Sequence, residues 1–414
     1  MANPNRVRNG GFEQSITLPA LPPFWSGTGS TETGTQLLEH TNARLNPGEN
    51  ISQELLPLQV GEIYQFQAAF SIISPLTGTL DIGITGQPAR RFQAINIEDG
   101  NEYSYYNFDF TATVPSATLT IANNTDADVF IDVVSVKLTN PNLVRNSGFE
   151  QSITPALPPF WSGTGSTETG GTQLLGDTNV RLNVGENISQ ALLPLQVGQI
   201  YQFQVALDTT ATAGTIDIAI TGITTRHFQA NINPGNYSYY SFDFTATVPS
   251  ATLTITNNTG PIGGADVKID VVSVKLANPN HVRNGGFEQS TPTALAPFWS
   301  GTGSTETGGT QLLGDNNALL NPGENISQEL LPLQVGEIYQ FQAAFETGGG
   351  GTTGTVDIGI TGITTRHFRA ARMVDAEYAY YSFDFKATVA SPTLTIANNS
   401  SADVKIDVVS VKLA

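Results

Sequence analysis

At 414 residues the chain has room for two to four domains of ordinary size, and its 39% hydrophobic residues can fill their cores. Lys and Arg number 18 against 36 Asp and Glu; the net charge of −18 repels phosphate backbones and anionic lipid, which argues against nucleic-acid binding. There is no cysteine, so disulfides, thiolate metal sites and cysteine nucleophiles are excluded, and no apolar run approaches the roughly 18 residues of a membrane-spanning helix, so no membrane insertion is expected.

The first residues, Met1-Ala-Asn-Pro-Asn-Arg, lack the apolar stretch of a signal peptide, so export is expected either after removal of a leader or by another route. From Asn3 runs the phrase NPNRVRNGGFEQSITLPALPPFWSGTGSTETG. It returns with few changes at Asn140 and Asn278, after 137 and 138 residues. Each copy closes on nearly the same words: FIDVVSVKL from Phe130, KIDVVSVKL from Lys268 and again from Lys405. The chain is an internal triplicate whose period is a whole domain, longer than the roughly 20–50 residues of a solenoid repeat. The modules are 1–139, 140–277 and 278–414. Only Thr139-Asn140-Pro141 separates the first last-strand from the next opening phrase, a reach of at most about 10 Å stiffened by proline. A rigid rod of successive modules is expected. Its two ends carry free copies of the surfaces that join modules, so head-to-tail assembly with other copies of the chain is expected too.

Within module 1, apolar and polar residues alternate through IYQFQAAF (Ile63 to Phe70), TLDIGITG (Thr79 to Gly86), YYNFDFTATV (Tyr105 to Val114), ATLTIANN (Ala117 to Asn124) and FIDVVSVKL (Phe130 to Leu138). Turn-forming clusters separate them: Asn46-Pro47-Gly48, Val60-Gly61-Glu62 and Asn123-Asn124. SQELLPLQ, from Ser52, reads as a helical turn or a strand, and Pro57 interrupts it. No helical stretch of ten residues emerges. Eight or nine short strands per module predict an all-β chain of three tandem antiparallel jelly-roll β-sandwiches. Period two places Tyr106, Phe108 and Phe110 on one face and Tyr105, Asn107 and Asp109 on the other.

The opening N-x-x-x-N-x-G-F-E, the Trp that follows and the closing I-D-V-V-S-V resemble the galactose-binding-like jelly roll, the architecture of many bacterial carbohydrate-binding modules. Phrases such as NLVRNSGFE…PPFW and ISQALLPLQVGQIYQF are similar to the N-terminal domain that precedes collagen-like triplet repeats in Gram-positive spore-surface proteins. This chain differs in having three copies and no triplet tail. The resemblance implies an extracellular, cell-surface or spore-surface location. It also implies a structural Ca²⁺ in each module, held by an early Glu and a late Asp: Glu13 with Asp132, Glu150 with Asp270, Glu288 with Asp407. Calcium takes six to eight oxygens, from carboxylates and backbone carbonyls. The alternative is a solvated Glu and an Asp bonded to backbone.

The candidate ligand platform is aromatic. Trp25, Trp161 and Trp299 sit in FWSGTGSTET, beside hydroxyl and carboxylate groups able to take sugar hydroxyls; the same Trp also reads as a core anchor, which is its commoner role in the modules this chain resembles. Tyr105, Tyr239 and Tyr380 are candidates for an outward aromatic strip. His227 and His367 stand where the first copy has Arg91, a substitution that a metal or catalytic role would not tolerate. Asp81, Asp217 and Asp357 alternate with Ile and are expected to face out. No G-x-S-x-G, Walker loop or H-E-x-x-H occurs. The chain is therefore read as non-enzymatic: a structural or adhesive surface protein, with a trivalent lectin-like binder of glycans as the alternative.

Overall fold

The computed structural model describes residues 5–13, 18–73, 77–97, 102–152, 154–170, 173–230, 236–260, 264–288, 294–307, 311–348, 352–374 and 377–414. The period-two segments of module 1 become ten strands: β1 (Ser26–Gly27), β2 (Ser30–Glu32), β3 (Asn42–Leu45), β4 (Asn50–Glu54), β5 (Ile63–Ile72), β6 (Gly78–Ile84), β7 (Arg90–Gln93), β8 (Ser104–Thr111), β9 (Thr118–Thr125) and β10 (Val129–Leu138). They form two five-stranded sheets, β1-β4-β9-β6-β7 and β2-β3-β10-β5-β8, with antiparallel pairing throughout. The other two modules repeat both sheet orders, between Ser162 and Leu276 and between Ser300 and Leu413. The chain is all-β, three jelly-roll sandwiches. The SQELLPLQ segment resolves as strand through Glu54. Ten strands exceed the eight or nine expected because β1, β2 and β7 are too short to show a period.

Between the sheets of module 1, Leu80, Ile82 and Ile84 of β6 and Leu119 and Ile121 of β9 meet Tyr64, Phe66 and Phe70 of β5 and Tyr106, Phe108 and Phe110 of β8, all buried. The rings are in contact, with centroids 5.1 Å apart for Phe66–Phe108 and 5.7 Å for Phe70–Tyr106. Each such side chain contributes about 1.5–3 kcal/mol on burial, so the alternation alone drives the sandwich together.

The last strand is bent at a bulge between Asp132 and Ser135, where Val133 takes φ 52°. Val271 (49°) and Val408 (52°) repeat this conformation. A β-branched residue in this left-handed region costs about 1–2 kcal/mol, so the bend must be held from outside. It is held by the opening segment: Val134 N donates to Gly10 O at 2.9 Å, and a Cβ on Gly10 would stand 2.0 Å from Val134 O. Modules 2 and 3 make the same bond, Val272 N to Ser147 O and Val409 N to Gly285 O, at 2.9 and 2.8 Å, so the approach is common to all three and in module 2 is made by serine.

The chain divides into two compact units. One holds Met1–Thr139 with Asn280–Thr307 and Asn316–Ala414; the other holds Asn140–Pro279 with Gly308–Asp315. In the first unit, Leu37, Leu38, Tyr103, Tyr105 and Phe130 of module 1 belong to the same apolar cluster as Phe345, Phe368 and Tyr381 of module 3. Within this unit, modules 1 and 3 therefore pack together although they are not sequence neighbours. The cause is the outer face of β8 and the Leu37-Leu38 loop, whose apolar surface finds cover there.

Candidate functional site

The early Glu and late Asp do come together, on the loop that precedes β3. Asp132 is fully buried; its Oδ2 accepts from Leu37 N (3.1 Å) and Leu38 N (3.0 Å), and its Oδ1 from Val133 N (2.8 Å). Glu13 accepts from His40 N (3.1 Å) and Thr41 N (3.0 Å). In module 2, Asp270 takes Leu174 N, Leu175 N and Val271 N, while Glu150 takes Asp177 N and Thr178 N. In module 3, Glu288 accepts from Asn316 N and Asp407 from Val408 N. Burial pushes the Asp132 and Asp270 carboxyls well above the usual range; the peptide N–H groups oppose this, and the neighbouring Glu13 and Glu150 charges add to it. Burial likewise raises Glu13, against the pull of the Thr41 and His40 amides.

Each pair faces backbone amides rather than one another's lone pairs. In modules 1 and 2 each carboxylate accepts from two or three backbone N–H groups, and among the described residues no group of three His, Asp or Glu side chains is placed to hold a metal. The pair acts as a clamp that ties the pre-β3 loop to the first and last segments of the module.

The tryptophans are core anchors, not platforms. Trp25, Trp161 and Trp299 are each 7% exposed, and their indole N–H groups donate to Asn9 O, Asn146 O and Asn284 O at 3.1–3.2 Å. Each ring lies 5.2–5.3 Å from a buried phenylalanine, Phe12, Phe149 or Phe287. No ring face is left for a sugar. The tyrosine strip is also corrected: Tyr105, Tyr239 and Tyr380 are buried. Tyr105 packs edge-on against Tyr381 and donates to Ser382 O at 2.7 Å, which places it in the contact between modules 1 and 3. His227 and His367 are partnered surface residues, each with Nδ1 2.7 Å from Asp217 or Asp357, as Arg91 partners Asp81 in module 1.

The exposed aromatic is the residue before each tryptophan. Phe24, Phe160 and Phe298 are 47–50% exposed and have φ of 76–77°. Each is the third residue of a turn closed by Trp25 N to Pro22 O, Trp161 N to Pro158 O or Trp299 N to Ala296 O, at 3.0–3.2 Å, with proline second. Such a turn asks for positive φ at its third position, where glycine is preferred. An exposed phenylalanine there is doubly unusual, being strained and without burial to offset the strain. Over each ring lies a guanidinium: Arg8, Arg145 and Arg283 have Cζ 4.3, 4.3 and 4.6 Å from the centroid.

The arginines are fixed in place. Arg8 N donates to Gln53 Oε1 (2.6 Å) and Gln53 Nε2 to Arg8 O (2.8 Å); Gln190 and Gln328, equally buried, do the same for Arg145 and Arg283. Each guanidinium also donates to a backbone carbonyl, of Glu54, Ala191 or Glu329, so that contact survives the change of side chain in module 2. Two residues past each phenylalanine, an exposed serine pair spans the neighbouring strands: Ser26 with Ser52, Ser162 with Ser189, Ser300 with Ser327, at 3.0–3.1 Å. Each module thus brings an apolar ring under a planar cation, with a hydroxyl pair two residues farther along the strand. The sequence signal was Pro-Phe-Trp: proline second in a turn sends the next residue outward and the Trp inward.

No family model and no curated protein matches the chain. Solved structures of similar fold include the tandem CBM22-1–CBM22-2 domain of Paenibacillus barcinonensis Xyn10C, at 9% identity, covering 66% of this chain and 98% of that one, with a TM-score of 0.26. A CBM61 module in complex with β-1,4-galactotriose matches at 14% identity over 33% of this chain and 99% of its own, TM-score 0.25. A structure of Sulfolobus Turreted Icosahedral Virus matches at 11% identity over 95% of this chain and 92% of that one, TM-score 0.24. Identities and scores this low do not carry any activity over to this chain.

Proposed function

We propose that this is a non-enzymatic surface protein, extracellular or on a cell or spore, that binds glycans through three copies of the Phe–Arg platform. The supporting observation is the strained, half-exposed phenylalanine under a fixed arginine, kept in all three modules at a position where glycine would fold more easily. A ring face stacks on the C–H face of a pyranose, while guanidinium and serine hydroxyls take its oxygens. Three weak sites on one chain raise avidity by effective concentration, without any new contact. The strongly perturbed carboxyls Asp132 and Asp270 are engaged by backbone amides, so they serve the fold rather than acid–base chemistry. The test is a glycan array probed with the wild-type chain and with the triple variant Phe24→Gly, Phe160→Gly, Phe298→Gly. Binding by the first and none by the second supports the reading; no binding by either sinks it.

The second reading is a building block of a surface fibre or layer, assembled head to tail. Module 1 packs on module 3, so one copy of the module can hold another that is not its sequence neighbour; the same contact made between chains instead of within one would build the fibre. Sedimentation over a wide concentration range separates the two: growth into long species supports a fibre, a constant monomer excludes it.

A further inference from the structure

In the first compact unit, module 1 meets module 3 through the outer face of β8, through Lys137, which pairs with Asp384, and through the Leu37-Leu38 loop, which adds main-chain bonds. Leu38 forms an antiparallel bridge with Phe368, and Arg369 N donates to Leu37 O at 3.1 Å. The receiving strand, Arg366–Arg369, is the edge of its sheet, the counterpart of β7. Around this main-chain pairing, Arg366 Nη1 donates to Glu39 Oε1 (2.8 Å), Arg372 Nη2 to Gly34 O (2.6 Å) and Tyr103 N to Arg372 O (3.1 Å). In the second unit the same device recurs with different modules: Leu313 bridges Phe228, and Gln229 N donates to Leu312 O at 3.3 Å, on the edge strand Arg226–Gln229. The donor phrase Gln-Leu-Leu stands in every copy, at Gln36, Gln173 and Gln311, and so does the edge strand.

We propose that the Leu-Leu loop and the edge strand are a heterologous recognition pair, by which one module binds a second copy of the module whether or not the two are joined in one chain. Strand addition to an open edge supplies backbone hydrogen bonds as affinity, and the two leucines supply specificity. Because each module carries both halves, the contact is of the head-to-tail kind. The linker raises the effective concentration but is not what defines the partner.

The experiment uses the full chain with a protease site placed at Thr139–Asn140, cut after purification. The cut wild-type chain is expected to elute as one species, with module 1 retained at micromolar concentration. Leu38→Asp, which puts a charge into the buried contact, is expected to release it. Arg366→Glu is expected to weaken retention about tenfold, and Glu39→Arg added to it to restore retention; this reciprocal pair separates loss of the contact from loss of folding. Separation of the cut wild-type chain, or retention indifferent to all of these substitutions, overturns the proposal.

Discussion

Replacing Phe24, Phe160 and Phe298 by glycine separates function from folding. Each phenylalanine sits at φ 76–77°, which costs an L residue about 1–2 kcal/mol and glycine almost nothing. Against that, a ring 47–50% exposed gives up about half of the 1.5–3 kcal/mol that a fully buried phenylalanine contributes. The guanidinium above it, 4.3–4.6 Å from the centroid, is worth about 0.5–1 kcal/mol at an exposed site. The terms nearly cancel, so each substitution should shift stability by no more than about 1 kcal/mol, or about 2–4 °C in Tm for a domain of this size. Differential scanning calorimetry on wild-type and triple variant reads this directly, beside glycan binding on the same preparations. The expected result is unchanged melting with binding lost. A fall of more than about 10 °C would show that the rings hold the fold; unchanged melting with binding intact would show that they are idle.

Asp270→Ala removes the acceptor of the Leu174, Leu175 and Val271 N–H groups. Buried N–H groups left unpaired cost about 1–3 kcal/mol each, so module 2 should melt on the order of 10 °C lower by calorimetry. If amide donors rather than a cation satisfy that carboxylate, EDTA and added Ca²⁺ should leave the wild-type melting curve unmoved; a chelator-sensitive curve with calcium found by elemental analysis would reverse this. Glu377 is pushed up to about 8 by burial first and then by Glu102 and Glu346, from an ordinary value near 4.5. The folded form therefore holds its proton where the unfolded one has lost it. The stability this gives is full below about pH 4.5 and is lost as pH rises through about 8. Tm should be higher at pH 6 than at pH 9, and Glu377→Gln should flatten that slope; an equal slope in the variant would remove Glu377 as its cause.

Much of the fold was legible because period two is a local signal. Ile63–Ile72 and Val129–Leu138 announce themselves in any window of eight residues, and the triplicate multiplies the evidence. What was not legible depends on residues far apart in sequence. Nothing near Tyr105 says that its outer face will be covered by Tyr381 and Ser382 of another module, so alternation alone made it a surface tyrosine. Glu13 and Asp132 both reach the 37–41 loop, but what they do there is set by which way that backbone turns its amides, and composition does not encode that. The Phe24-Trp25 choice turned on a single turn: Trp25 goes inward with its N–H on Asn9 O, and Phe24 is left outside. Glu39 is the subtlest case. Modules 2 and 3 have glycine there, Gly176 and Gly314, at φ 82° and 81°, and module 1 accepts φ 63° at a glutamate that holds Arg366.

The stoichiometry of glycan binding tests the proposed function most directly. Isothermal titration of the full chain with the oligosaccharide that binds best on the array should give three sites of similar affinity, one per platform. Phe160→Gly alone should leave two sites and an unchanged enthalpy per site. A single site per chain, or three sites that persist in Phe160→Gly, would contradict the assignment of the Phe–Arg platform as the place where this protein meets its ligand.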